Sequence, residues 1–268
     1  MPRLDPEQQQ AIAARVRYYR DLGVFDFYRR GEAIPESVSD RLEAAAVLPE
    51  ESMPKKHSTP PQDLFVAGSL IAPEKREAAL QAIREDIGDC KRCPLAFAGR
   101  HRIVFGEGDA NARLMFVGEG PGADEDMQGR PFVGRAGQLL NNMITAMGLT
   151  REQVYIANIV KCRPPQNRTP EPVEANTCSQ FLFRQIDVIR PEILVALGST
   201  AATYLLGGKS SLSALRGRMH EARGSKLIVT YHPAYLLRDP RQKKEAWADL
   251  QIAMTELGLK APKRSAGE

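Results

Sequence analysis

The chain has 268 residues, 43% of them hydrophobic and 26% charged, with a formal net charge of +4, an ordinary balance for a globular protein. No apolar run approaches the roughly 18 residues of a membrane span, and MPRLDPEQQQ at the N-terminus lacks the apolar core of a signal peptide. These absences exclude an apparent membrane partner and imply a cytoplasmic protein, expected to be a monomer.

Residues 1–75 carry ten Lys/Arg against twelve Asp/Glu, whereas residues 76–268 carry 27 against 21. The excess positive charge thus sits in the larger part, as a polyanionic partner would favour, though charge alone decides nothing.

In chain order, Pro6 to Leu22 reads as an amphipathic helix with Ile12, Val16 and Tyr19 on one face and Gly23 placed to stop it. Pro35, Pro49, Pro54, Pro60 and Pro61 then mark a linker or loose extension. A helix from Pro73 to Ile87 leads into Cys90. The expected organisation is a helix and Pro-rich linker over 1–72, one main domain over 73–260 and a basic tail over 261–268.

The four cysteines are Cys90, Cys93, Cys162 and Cys178. Disulfides are not expected in a cytosolic chain of this size. The C-x2-C pair and two further cysteines suit a four-thiolate metal site better than four unrelated buried thiols. Spacing leaves zinc and an iron–sulfur cluster equally open.

Beyond Arg100 the chain alternates. Strands are predicted at Leu114–Val117, Val154–Val160, Ile193–Leu197 and Leu227–Tyr231, and helices at Ala136–Met147, Pro172–Ile189, Thr200–Leu206 and Gln242–Leu257. This implies an α/β fold, a three-layer α/β/α sandwich around a central, mainly parallel four-stranded sheet, with a helical N-terminal extension. Ligands of such sheets bind beyond the carboxyl ends of the strands. Three unusual loops lie there, after Val117, Ile156 and Val229.

The first loop, Val117 to Leu140, holds six glycines and four acidic residues. Gly118-Glu-Gly120-Pro-Gly122-Ala123 formally satisfies G-x-G-x-x-A. A phosphate cradle, however, needs a helix opening onto the anion. Glu119, Asp124, Glu125 and Asp126 would repel phosphate, and Gly129 and Pro131 are expected to delay the helix until about Gly134. The glycines serve either a solvated surface turn or a pocket in which backbone approaches a flat ligand.

Asn158 lies in an apolar stretch, where its amide offers both acceptor and donors to a base edge or simply bonds local backbone. His232 stands at a strand end before Pro233, where an imidazole can donate to developing negative charge or be purely structural.

Together, C-K-R-C-P-L (90–95), G-E-G-P-G-A-D-E-D (118–126), G-R-P-F-V-G-R-A-G (129–137), N-I-V-K-C-R-P-P-Q-N-R (158–168), Cys178 and H-P-A-Y-L-L-R (232–238) resemble the family 4, iron–sulfur, uracil-DNA glycosylases. The resemblance runs from about residue 77 to 258 and keeps the order and spacing of the motifs. It implies a 4Fe–4S cluster on Cys90, Cys93, Cys162 and Cys178, and an enzyme that flips uracil out of single- or double-stranded DNA and hydrolyses its N-glycosidic bond.

Family roles carried to matching positions make Glu119 and Gly120 the catalytic loop, with Glu119 positioning water or stabilising the sugar cation. Glu125 would lie near the C5 edge, Phe132 would stack on uracil, Asn158 would read O4 and N3, and His232 would bond O2. Leu236 resembles a wedge entering the space the base vacates. Lys91, Arg92, Arg163 and Arg168 would hold phosphates beside the cysteines.

Two departures narrow the resemblance. Gly134-Arg-Ala-Gly137 runs straight into Gln138 without the basic, histidine-bearing insertion of relatives that trap uracil covalently. Glu119 is also unlike the acid-poor first motif of a broader-specificity branch. An inactive DNA-binding relative or a redox carrier would leave Glu119, Asn158 and His232 unexplained.

Overall fold

The computed structural model describes residues 71–260, so the expected helix at Pro6–Leu22, the linker and the 261–268 tail lie outside the described residues. A six-stranded sheet forms the middle layer, in the order β1-β3-β2-β4-β6-β5. Its strands are β1 (Glu107–Gly108), β2 (Leu114–Gly118), β3 (Tyr155–Asn158), β4 (Ile193–Leu197), β5 (Met219–Ala222) and β6 (Ser225–Thr230).

The four predicted strands are the parallel centre, with β2 pairing both β3 and β4, and β4 pairing β6. Every residue of β2, β3 and β4 is buried, as expected for parallel strands covered on both faces. The expected count of four falls short by the two antiparallel edges, β1 beside β3 and β5 beside β6. β1 has only two residues, and β5 exposes Glu221, so neither carries an apolar run. Arg223 and Gly224, both at positive φ, make the tight turn of the β5–β6 hairpin.

Period-two alternation divides the strand side chains between two cores. Met115, Val117, Leu194, Ala196, Leu227 and Val229 pack with α1 (Arg76–Ile87), α4 (Pro172–Ile189) and α5 (Ser199–Leu206). Leu114, Phe116, Ile193, Val195, Leu197 and Ile228 pack with α3 (Arg135–Ala146) and α8 (Lys243–Glu256). Helices on both faces complete the three layers. No described helix is long and apolar enough to cross a membrane.

Three further short α-helices lie among the described residues: α2 (Ala123–Gln128), α6 (Leu212–Leu215) and α7 (Pro233–Arg238). α2 corrects the expectation that helix formation waits until Gly134. Gly122 caps it, Asp124, Glu125 and Asp126 fill its first turn, and Gly129 ends it at φ 74°. Acidic side chains favour a helix N-terminus, so the residues that repel phosphate also start the helix.

Candidate active site

The carboxyl ends of β2, β3, β4 and β6 open onto one cleft of about 730 Å³. Glu119, Gly120, Glu125, Phe132, Asn158 and His232 all line it, so the predicted loops do converge.

Asn158 ends β3 opposite Gly118 in the parallel register. It is 1% exposed, and its Oδ1 is buried without a hydrogen-bond partner. An unsatisfied buried acceptor costs about 1–3 kcal/mol unless a ligand supplies the donor. Gly118 makes this arrangement sterically possible. A Cβ there would lie 2.4 Å from Asn158 Oδ1 and 2.6 Å from Phe132 Cζ.

Phe132 holds a left-handed backbone conformation, φ 50°, which is uncommon for an aromatic residue. The surrounding hydrogen bonds fix it. Glu125 Oε1 accepts from Val133 N at 2.9 Å and Gly134 N at 3.0 Å, while Oε2 accepts from Gly122 N at 3.0 Å. On the other side, Arg151 donates to Phe132 O at 3.2 Å, to Asn141 Oδ1 at 2.8 Å and to Pro131 O. Glu107 in turn accepts from Arg151 Nε at 2.7 Å. Both Glu125 oxygens are therefore occupied by the loop backbone.

His232 caps α7, and its Nδ1 accepts from Ala234 N at 3.1 Å. In the neutral ring this places the proton on Nε2. Burial pushes its pKa down to about 4, the Arg238 charge assisting and Glu125 opposing. The ring lies 5.5 Å from that of Phe132, inclined by 31°. Behind it, Thr230 and Arg216 both bond Asp249 at 2.7 Å, fixing the end of β6.

Glu119 continues from β2, and its Oε2 accepts from Thr200 Oγ1 at 2.5 Å. Thr200 and the neighbouring wall residues Gly198 and Ser199 belong to the β4 end, which the sequence reading passed over. The rule that singled out the other three loops would have found it.

Leu236 needs correction. A wedge must project, yet Leu236 is 1% exposed because the helical phase of α7 turns it inward. Leu237 is 37% exposed, between the cleft-lining residues Ala234 and Arg238.

A second, small pocket brings Cys90, Cys93, Cys162 and Cys178 together, with Ile87, Ile103 and Phe181 around them. All four are free of disulfides. Arg100 Nη1 donates to Cys162 Sγ at 3.2 Å, and Lys161 N donates to Cys178 Sγ at the same distance. Burial pushes the Cys178 thiol up to about 12, a proton that metal coordination would displace. Among the described residues, no group of three or more His, Cys, Asp or Glu side chains is arranged to hold a metal ion. The basic residues expected to hold phosphates here are largely engaged. Arg92 pairs with Asp86, Lys91 with Asp89 and Arg168 with Glu174, while Arg163 bonds Asn167.

Residues 105–251 match the family described as the uracil DNA glycosylase superfamily. A type-4 uracil-DNA glycosylase of Thermotoga maritima is 48% identical over 166 residues, spanning 61% of this chain and 86% of that relative. Type-4 enzymes of Sulfurisphaera tokodaii and Archaeoglobus fulgidus are 44% and 39% identical, each alignment spanning 69% of this chain and 87% and 96% of those proteins. By its three-layer fold, its strand-end cleft and these matches, the chain belongs to the uracil DNA glycosylase superfamily. Within the superfamily it falls among the type-4 members.

Proposed function

We propose that this chain is a DNA repair enzyme that excises uracil from DNA by hydrolysing its N-glycosidic bond, leaving an abasic site. The observation that carries the reading is the buried, unpartnered Asn158 Oδ1 in a cleft shared with Phe132, His232 and Glu119. Uracil N3–H supplies the donor that this oxygen lacks, and the amide NH₂ donates to O4. Cytosine has an unprotonated N3 and an amino group at C4, so it mismatches both halves of that amide.

A flipped uracil stacks on Phe132. As the C1′–N1 bond breaks, its electron pair moves to uracil and negative charge grows on O2. Neutral His232 donates there through Nε2–H. Glu119 stabilises the cationic sugar or orients the water that adds to C1′, taking a proton that finally resides on uracil N1. Gly120 belongs to the same wall. Glu125 serves the pocket by holding residues 132–134 where a thymine C5 methyl would need room, and no protein nucleophile is required.

The four free thiols around one pocket, with N–H groups donating to sulfur, are the donor set of a 4Fe–4S cluster, although as placed they do not close on a single metal ion. Cys90, Cys93, Cys162 and Cys178 would hold it, and the iron–thiolate bonds would tie residues 90–93 to residues 162–178. We assign the glycosylase to residues 73–260, and the wedge to Leu237 on the conformation described.

The test is incubation with an oligonucleotide containing one uracil, followed by alkaline cleavage at abasic sites. Strand scission at the uracil, and none in the thymine control, is expected. An intact strand would overturn the proposal.

A further inference from the structure

The end of β4 contributes a hydroxyl whose place in the site follows from its geometry. Ile193–Leu197 runs into Gly198-Ser199-Thr200, where Gly198 sits at φ 93°. That conformation suits glycine, and a Cβ there would stand 3.3 Å from His232 Cβ. Gly198 N donates to Thr230 O at 2.8 Å, so the turn is locked to the end of β6. α5 then begins at Ser199, which makes Thr200 its second residue.

Thr200 has a branched Cβ, which restricts its side-chain rotamers within a helix. Its Oγ1–H donates to Glu119 Oε2 at 2.5 Å, the short length of a hydroxyl bonded to a carboxylate. Glu119 itself follows β2 and is anchored by its carbonyl, which accepts from Val160 N at 3.1 Å. The carboxylate is therefore fixed at both ends, by backbone pairing at one and by Thr200 at the other. With Oε2 committed, Oε1 is the oxygen left to meet water or the sugar.

We infer that Thr200 is a positioning residue for Glu119, fixing which carboxylate oxygen acts in the glycosylase reaction. The inference rests on the proposed role of Glu119. One turn then serves two groups, since Gly198 gives His232 room and Thr200 aims Glu119. A misplacement of about 1 Å in such a group can cost about 100-fold in rate, so a freed carboxylate should show chiefly in turnover.

The experiment is single-turnover and steady-state kinetics on a uracil-containing oligonucleotide with Thr200→Val, Thr200→Ser, Glu119→Gln and the double variant Glu119→Gln/Thr200→Val. Thr200→Val should lower kcat by about 10- to 100-fold with KM unchanged within about twofold, while Thr200→Ser keeps most of the rate. Added to Glu119→Gln, Thr200→Val should cost no more than about a further twofold, because the residue acts through Glu119. An impaired Glu119→Gln beside a fully active Thr200→Val overturns the inference and leaves the proposed function standing. A fully active Glu119→Gln overturns the role of Glu119 and the inference with it. Thr200→Ala provides the check on folding. If Thr200→Val and Thr200→Ala lose rate only in step with a falling unfolding temperature, Thr200 is structural and the inference fails.

Discussion

The strand-end cleft and the cysteine pocket lie at either end of one short segment, Asn158 to Cys162, yet they are built on opposite principles. In the cleft, Asn158 Oδ1 lacks a partner and Phe132 holds an unfavourable φ. In the cysteine pocket, apolar side chains surround the thiols, and neighbouring N–H groups already donate to sulfur. Unsatisfied or strained groups persist where the surroundings over-determine them and a ligand completes them. On the proposed function, the contrast separates a cleft that would receive substrate from a pocket that would hold the fold. Lys161 connects the two: its buried amine donates to Asn158 O at 3.0 Å, and its backbone N–H donates to Cys178 Sγ at 3.2 Å.

The sharpest way to break the contrast is Cys162→Ala. If the proposed 4Fe–4S cluster is bound by these cysteines and holds the fold, this variant should lack the visible iron–sulfur absorbance of the parent protein and lose most of its cooperative unfolding transition. A protein that keeps its unfolding temperature and full glycosylase rate would make the pocket dispensable. On the other side, Asn158→Ala should lose about 10³-fold or more in kcat/KM while keeping both the absorbance and the unfolding temperature, because it removes base recognition alone. Assaying the two variants side by side tests whether the sites divide as described.

Smaller effects sharpen the boundary of the cleft. Leu236→Ala should cost about 2–5 kcal/mol of stability, as for a fully buried leucine, measured by denaturant unfolding. Leu237→Ala should leave stability nearly unchanged and slow excision from duplex DNA more than from single strands. The reverse pattern would return the wedge to Leu236.

The smallest effect concerns pH. His232 has a folded pKa of about 4, below the ordinary 6.5. Between these values the unfolded chain binds a proton that the folded chain does not, so its contribution to stability is full above about pH 6.5 and declines as pH falls toward 4. The neutral donor persists over the same interval. The kcat/KM profile should therefore show no His232 limb near pH 6.5, and a limb there that vanishes in His232→Gln would contradict the assigned state.

Much of the scaffold was legible because its signals are local. Ile193–Leu197 and Pro172–Ile189 are found at the expected bounds: one is a continuous apolar run ended by glycine, the other opens on proline and keeps helical periodicity. The edges β1 and β5 were not legible, since a two-residue strand and a partly exposed one depend on neighbours that pair with them. Among the proposed site residues, Asn158, Phe132 and His232 converge as the motif order implied. Thr200 escaped notice because a threonine at a helix start is unremarkable until Glu119 is placed against it. Leu236 and Leu237 differ by one helical step of about 100°. Only packing decides which of them turns inward. The two backbone-bound oxygens of Glu125 were hidden for a related reason, because their partners are the N–H groups of a folded loop.

The unpartnered oxygen of Asn158 also bears on how a catalytic cycle ends. Free uracil carries the same N3–H and O4 as uracil in DNA, so the severed base satisfies that amide as fully as the substrate did. Departure of the base exposes the acceptor again, at a cost of about 1–3 kcal/mol. If Asn158 reads the base as proposed, product retention is built into recognition: millimolar free uracil should compete with substrate, and base release should weigh in turnover alongside bond cleavage.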